Sequence, residues 1–190
     1  MPNATMSDMT HNLAAIGIGR RYFGAELDLI QPAAAREVVR AYTADLGANL
    51  REGRGLVFTG GRGTGKSCAL VVVAAAAFAA QWEVGYATSG ALFDALANKH
   101  TSQPSQEWLQ YLRRCPLLLC DEVGSEFGAE WPQAGFEALS ELRYANMQAT
   151  CVATNLTERQ LLEEPRYSRA ASRWRECCDW INLGNHDRRN

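Results

Sequence analysis

The sequence predicts an α/β fold in which one parallel, five-stranded sheet is covered on both faces by helices. Three observations carry that prediction. Short apolar, β-rich runs alternate along the chain with segments of helical periodicity. The run Gly60 to Ser67, GGRGTGKS, fits the phosphate-binding pattern G-x-x-x-x-G-K-[ST], with a strand pattern before it and a helical one after it. A later apolar run, LLLCDE at Leu117 to Glu122, ends in two acids, as a buried strand does when its C-terminal end delivers carboxylates to a ligand crevice.

The elements follow in order. Residues 1–25 are polar and lack clear periodicity, so they are expected as a flexible tail or docking arm, leaving 26–190 as one domain. From Pro32, PAAAREVVRAYTADLGANL sets Val38, Val39, Tyr42 and Leu46 at helical spacing, with Gly47 near the end. GLVFT, Gly55 to Thr59, is the first strand. The apolar run from Ala69 to Ala80 is the helix behind the phosphate loop, too short for the roughly twenty residues that cross a bilayer. EVGYAT, Glu83 to Thr88, is the next strand, and SGALFDALANKH a helix with Leu92, Phe93 and Leu96 on its apolar side. A polar stretch at 101–105 precedes a helix from Gln106 to Arg114. After the LLLCDE strand come a helix over Ala134 to Met147, a strand from Thr150 to Asn155, short helices near Glu158 and Ser168, and a closing strand around Trp180 to Leu183.

Composition narrows the class. A chain of 190 residues, 47 % hydrophobic, is sized for one domain and can bury a full core without crosslinks. The six cysteines, Cys68, Cys115, Cys120, Cys151, Cys177 and Cys178, form no C-x-x-C pair, which fits a reducing, cytoplasmic setting and no zinc site. The amino terminus lacks the charged and apolar regions of a secretory signal. A net charge of −2 argues against indiscriminate electrostatic binding of DNA, although it leaves room for a local patch. Only Lys66 and Lys99 are lysines against seventeen arginines, a bias that composition alone cannot assign to one face. His11, His100 and His186 have no partner pattern suggesting a ligand or general base.

The motifs specify a P-loop nucleotide-binding fold and its chemistry. Backbone N–H groups from Gly60, Gly61, Arg62, Gly63, Thr64 and Gly65, continued by Lys66, Ser67 and Cys68 at a helix N-terminus, can close around the phosphates of ATP. Lys66 places an ammonium against developing charge, and the Ser67 hydroxyl is a ligand for Mg²⁺. Asp121 is expected to hold the Mg²⁺ shell through water, and Glu122 to polarise the attacking water. Asn155, following an apolar strand, can hydrogen-bond the γ-phosphate or the lytic water, although an asparagine there is also an ordinary turn residue.

GLVFTGGRGTGKS, YATSGALFDAL, PLLLCDEVG, ELRYANMQATCVATNL and the late SRW and GNHDRR segments together resemble the DnaC and IstB group of AAA+ ATPases, bacterial helicase loaders and transposition helper ATPases. The resemblance covers roughly residues 20 to 190, and Arg143 and Tyr144 before the ATN strand are its more particular marks. It implies an AAA+ module in which Asn155 is a sensor and a late arginine reaches the ATP of a neighbouring subunit, while the few residues after the last strand leave no separate helical lid expected. Arg173 is the matching position, Arg169 the second choice, and Arg188 or Arg189 resembles a terminal arginine near the nucleotide. A planar guanidinium suits the charge spread over phosphoryl oxygens.

The resemblance further implies ATP hydrolysis, self-association through the ATP sites, single-stranded DNA and a replicative helicase as partners, and no membrane. One departure is that loaders carry a separate helicase-binding domain, whereas only about thirty residues precede Pro32. The alternatives are an IstB-like ATPase assisting a transposase and a P-loop scaffold with little hydrolysis; a small-molecule kinase lacks an acceptor-binding arginine pattern. The segment from Ser89 to Arg114 corresponds to an insertion that forms a DNA or partner surface in initiator-like members. Its own cations are few, Lys99, His100, Arg113 and Arg114, and Trp108 and Tyr111 are spaced to pack inward.

Overall fold

The computed structural model describes residues 6–97, 103–125 and 133–189. Its centre is a five-stranded sheet of β1 (Gly55–Thr59), β2 (Val84–Thr88), β3 (Leu117–Val123), β4 (Ala149–Thr154) and β5 (Cys178–Asn182). The strands run in the order β2-β3-β4-β1-β5 and every pair is parallel. The interior position of β1 explains its unbroken apolar run, since all of its residues are buried. Alternation then sorts its side chains. Leu56 and Phe58 enter the core on one face of the sheet, and Val57 enters the core on the other.

The first face carries α1 (Met6–Ala15), α2 (Ala33–Ala44), α3 (Leu46–Arg51) and α4 (Lys66–Ala79). The second carries α5 (Ser89–Ala97), α6 (Gln103–Arg114), α7 (Gln133–Ala145), α8 (Glu158–Glu163) and α9 (Ser168–Cys177). Helix α4 lies directly behind the phosphate loop. It is buried at Ala69 to Ala74 and at Ala77 because the sheet lies under it and α1 and α2 lie over it, so it has no wide polar face.

That packing is where the structure departs from the flexible-tail alternative of the tail or docking arm expected over 1–25. Residues 6–15 form α1, which packs on α4, and Leu13 and Ile18 are 1 % and 3 % exposed within the same core. Burying these side chains on α4 supplies the driving force that the polar segment lacks by itself. The long helix expected from Pro32 is divided into α2 and α3 at Asp45, whose backbone is not helical. The Asn49 side chain bridges the break by donating to the Tyr42 carbonyl at 3.0 Å.

Helix α6 begins at Gln103, earlier than expected, with Pro104 tolerated in its first turn. Lys99 and His100 fall outside the described residues. Trp108 and Tyr111 pack inward as the spacing suggests, with the Tyr111 hydroxyl donating to the Val84 carbonyl at 3.0 Å. Among the described residues no helical lid follows β5; residues 183–189 return across the phosphate loop instead.

Candidate nucleotide-binding site

β1, β4 and β3 are adjacent, so their C-terminal ends bring the phosphate loop, Asn155 and the two acids to one edge of the sheet. The loop runs from Gly60 into the first turn of α4. Gly65 stands at the N-cap with φ of 96°, a left-handed conformation that a side chain would strain, and this leaves the helix N-terminus open. Thr64 is fully buried and braces the loop by donating its hydroxyl to the Gly61 carbonyl at 3.0 Å. Arg62 is exposed at the loop tip, and Cys68 is half-buried in the first turn of α4.

Lys66 folds back over the loop. Its ammonium donates to the Gly60 carbonyl at 2.8 Å and also to the Gly61 carbonyl. Burial holds it below the usual lysine range, with Arg189 pushing the same way and Asp121 opposing. These neutral carbonyls are acceptors that an incoming phosphate oxygen can replace with a charge-assisted bond.

Asp121 is 4 % exposed at the end of β3. It receives the Glu122 backbone N–H at 2.8 Å and the Tyr86 hydroxyl at 3.3 Å, and the Ser67 hydroxyl lies near enough to favour its ionised form. Burial raises its carboxyl above the usual range despite the opposing effect of those bonds and of Lys66. A buried carboxylate with a hydroxyl close by at the mouth of a phosphate loop is a donor set suited to a hard, oxygen-loving ion, and Mg²⁺ fits Ser67 and Asp121.

Glu122 takes a different conformation from its neighbour. The β3–β4 register shifts between Cys120 and Val123, and within this bulge Glu122 adopts φ of 61°. The bulge turns its side chain out to solvent, while its carbonyl accepts from the Ser89 hydroxyl at 2.8 Å and from the Ser125 N–H at 3.1 Å. A glutamate held at positive φ is strained, and strain of this kind gathers at functional sites. On β4, the Thr154 hydroxyl accepts the Leu156 N–H at 3.0 Å and shapes the turn that leaves Asn155 exposed beside the loop strand.

The late arginines lie elsewhere. On α9, Arg173 pairs with Glu141 of α7 at 3.0 Å and stacks 4.7 Å from the centre of the Tyr144 ring. Arg169 pairs with Glu137 at 3.3 Å. Both are therefore engaged on the outer α7–α9 face and not at the strand ends. Arg143, singled out beside Tyr144, is instead 2 % exposed. Its guanidinium donates to the carbonyls of Leu112 at 2.8 Å, Cys115 at 2.9 Å and Ala149 at 2.6 Å, and to the Thr150 hydroxyl at 3.0 Å, tying α6, α7 and β4 together.

Several neighbours of the site were not picked out from the sequence. Tyr86 and Ser89 stand at the β2–α5 junction, Asp187 approaches Gly63, Arg21 is near enough to Cys68 for its charge to be felt, and Tyr22 lies near Tyr86 and Arg189. The YATS run held a signal for the first pair, because polar groups at the end of a buried strand belong to the ligand edge.

The strand order, the loop after β1 and the acids closing β3 define a three-layer αβα P-loop fold of the AAA+ type. Solved structures share it. The DnaC helicase loader superposes with a TM-score of 0.72 at 22 % identity, over 86 % of this chain and 99 % of that one. DnaI gives 0.73 at 20 % identity over 88 % and 95 %. The replication initiator DnaA, bound to AMPPCP and single-stranded DNA, gives 0.69 at 20 % identity, over 87 % of this chain and 50 % of its own longer chain. At such identities the likeness establishes the fold. No protein-family model matches the sequence, and comparison with curated proteins finds no match either.

Proposed function

We propose that the chain is an ATP-hydrolysing switch of DNA replication, acting as a helicase loader does, with each active site completed by a neighbouring subunit. The observation that carries the nucleotide reading is the buried Asp121 carboxylate near Ser67 at the mouth of the phosphate loop, next to a bulge that turns Glu122 outward. The replication reading draws support from the near end-to-end match with a helicase loader.

In this reading Lys66 leaves the Gly60 and Gly61 carbonyls for the β- and γ-phosphates, while loop N–H groups and the α4 N-terminus hold the remaining charge. Ser67 and Asp121 would hold Mg²⁺, which would supply charge neutralisation at the phosphates. Glu122 orients and deprotonates the attacking water, and Asn155 donates a hydrogen bond to it or to the γ-phosphate. Arg173 from a second copy exchanges Glu141 for the transferred phosphoryl oxygens. Among the described residues no helix is long and apolar enough to cross a membrane.

The test is ATP turnover with single-stranded DNA, duplex DNA and a replicative helicase added in turn. Turnover stimulated by single strands, with ATP-dependent capture of the helicase, is expected. Preference for duplex DNA would move the chain to transposition-helper work. Turnover near zero for wild type and Glu122→Gln alike would leave a nucleotide-binding scaffold.

A further inference from the structure

After β5 the chain turns back over the loop. The Leu183 N–H donates to the Thr59 carbonyl at 2.9 Å, the Gly61 N–H to the Gly184 carbonyl at 2.8 Å, and the Arg188 N–H to the Gly63 carbonyl at 3.0 Å. Three backbone bonds thus strap residues 183–189 across the phosphate loop. The Arg188 guanidinium fastens the far side to the Gln31 carbonyl at 2.7 Å.

The strap sets a carboxylate on the loop. A Cβ built on Gly63 would lie 1.9 Å from Asp187 Oδ1, so the approach is open only because that position is glycine. Asp187 Oδ1 also accepts the backbone N–H and the Nε of Arg189, each at 3.0 Å, and Oδ2 accepts Arg189 Nη2 at 2.6 Å. That guanidinium lies close enough to Lys66 to disfavour its positive charge. The Arg189 pairing holds the Asp187 carboxyl below the usual carboxylate range, so it carries its charge at neutral pH.

We infer that Asp187 is an affinity-setting residue that competes with the nucleotide: its carboxylate occupies Arg189 and puts a negative charge against the phosphate loop, and a bound triphosphate takes Arg189 over. This deepens the nucleotide reading and rests on it. The exchange is physically easy, because a solvent-exposed carboxylate–guanidinium pair is weak, whereas a polyphosphate offers several acceptors and more charge. The strap's backbone bonds keep Arg189 near the loop during the exchange, so its side chain alone needs to move. Triphosphates benefit more than monophosphates because both the repulsion and the arginine's attraction scale with ligand charge.

Titration of the full-length protein with a fluorescent ATP analogue and Mg²⁺ at low salt tests this. Asp187→Asn keeps the shape and an acceptor for the Arg189 N–H. It is expected to bind ATP on the order of fivefold tighter, with a smaller gain for AMP and a gain that shrinks in 1 M salt. Asp187→Ser changes affinity in the same direction, and Arg189→Ala weakens ATP binding. Unchanged or weaker ATP binding in both Asp187 variants, with wild type still binding, overturns the inference alone. Absence of binding in every protein including wild type overturns the nucleotide reading together with it.

Discussion

At the strand ends, Asp121 is 4 % exposed and is fixed by the Tyr86 hydroxyl and the Glu122 N–H, with Ser67 close by. On the α7–α9 face, Arg173 is only partly buried and is held by Glu141 and the Tyr144 ring, with Tyr144 itself bonded to Glu176. One region is organised by burial and the other by ion pairs that water can replace. The difference follows from what each must meet. Under the proposed function, groups that bind a ligand within one chain would gain from being fixed in advance, whereas a guanidinium proposed to serve another subunit would have to stay at the surface and be able to let go of its partners. Arg143 makes the contrast sharper, since it comes from the same helix as Glu141 and yet is buried and spent on main-chain carbonyls, a hydroxyl and the Cys115 sulfur.

The contrast breaks first at Arg173. Arg173→Ala is expected to lower DNA-stimulated turnover by on the order of 10³-fold while the affinity of the isolated chain for ATP is unchanged, read by steady-state kinetics and nucleotide titration. Equal losses in both would make Arg173 a ligand within its own chain. Arg143→Met is expected to act on stability instead, costing about 3 kcal/mol in denaturant unfolding because several buried carbonyls lose their donor.

Glu122→Gln is expected to reduce turnover about 100-fold and to keep ATP binding, as loss of a general base does. A pH series sharpens the account of Asp121. Burial raises its folded carboxyl above the unfolded value, so the folded chain binds the proton more readily. Without nucleotide, its contribution to stability therefore grows as pH falls through that window and is lost as pH rises. Mg²⁺-dependent ATP binding runs the opposite way, because it needs the ionised form. Thermal melts against pH, with Asp121→Asn as the control in which both trends vanish, check the sign. The smallest effect belongs to Glu141→Gln, which loosens Arg173 at a surface pair and is expected to change turnover about twofold at most.

Legibility in the sequence followed how local each signal was. The loop, the LLLCDE strand and the ATN strand are contiguous, and a strand buried on both faces betrays itself by an unbroken apolar run, so the order of elements and the ligand edge could be read directly. Helix α1 could not. Its few apolar residues acquire meaning only against α4, and the clue lay in α4 being apolar nearly all round, which demands cover on the side away from the sheet. The strap over Gly63 and the bulge at Glu122 were hidden for a related reason: each depends on where the chain returns in space, and neither leaves a periodic mark. The placement of Arg143 was likewise invisible, since a buried arginine and an exposed one look alike in a helical pattern.

The central claim, that one subunit finishes the site of the next, is tested most directly by mixing two impaired variants. Arg173→Ala subunits keep the loop, Asp121, Glu122 and Asn155, and Glu122→Gln subunits keep Arg173. Combined in equal amounts with ATP, Mg²⁺ and single-stranded DNA, they are predicted to hydrolyse ATP well above the sum of the two alone, since an interface between them unites an intact loop with an intact arginine. A mixture no more active than that sum, under conditions where wild type turns over, would contradict the claim.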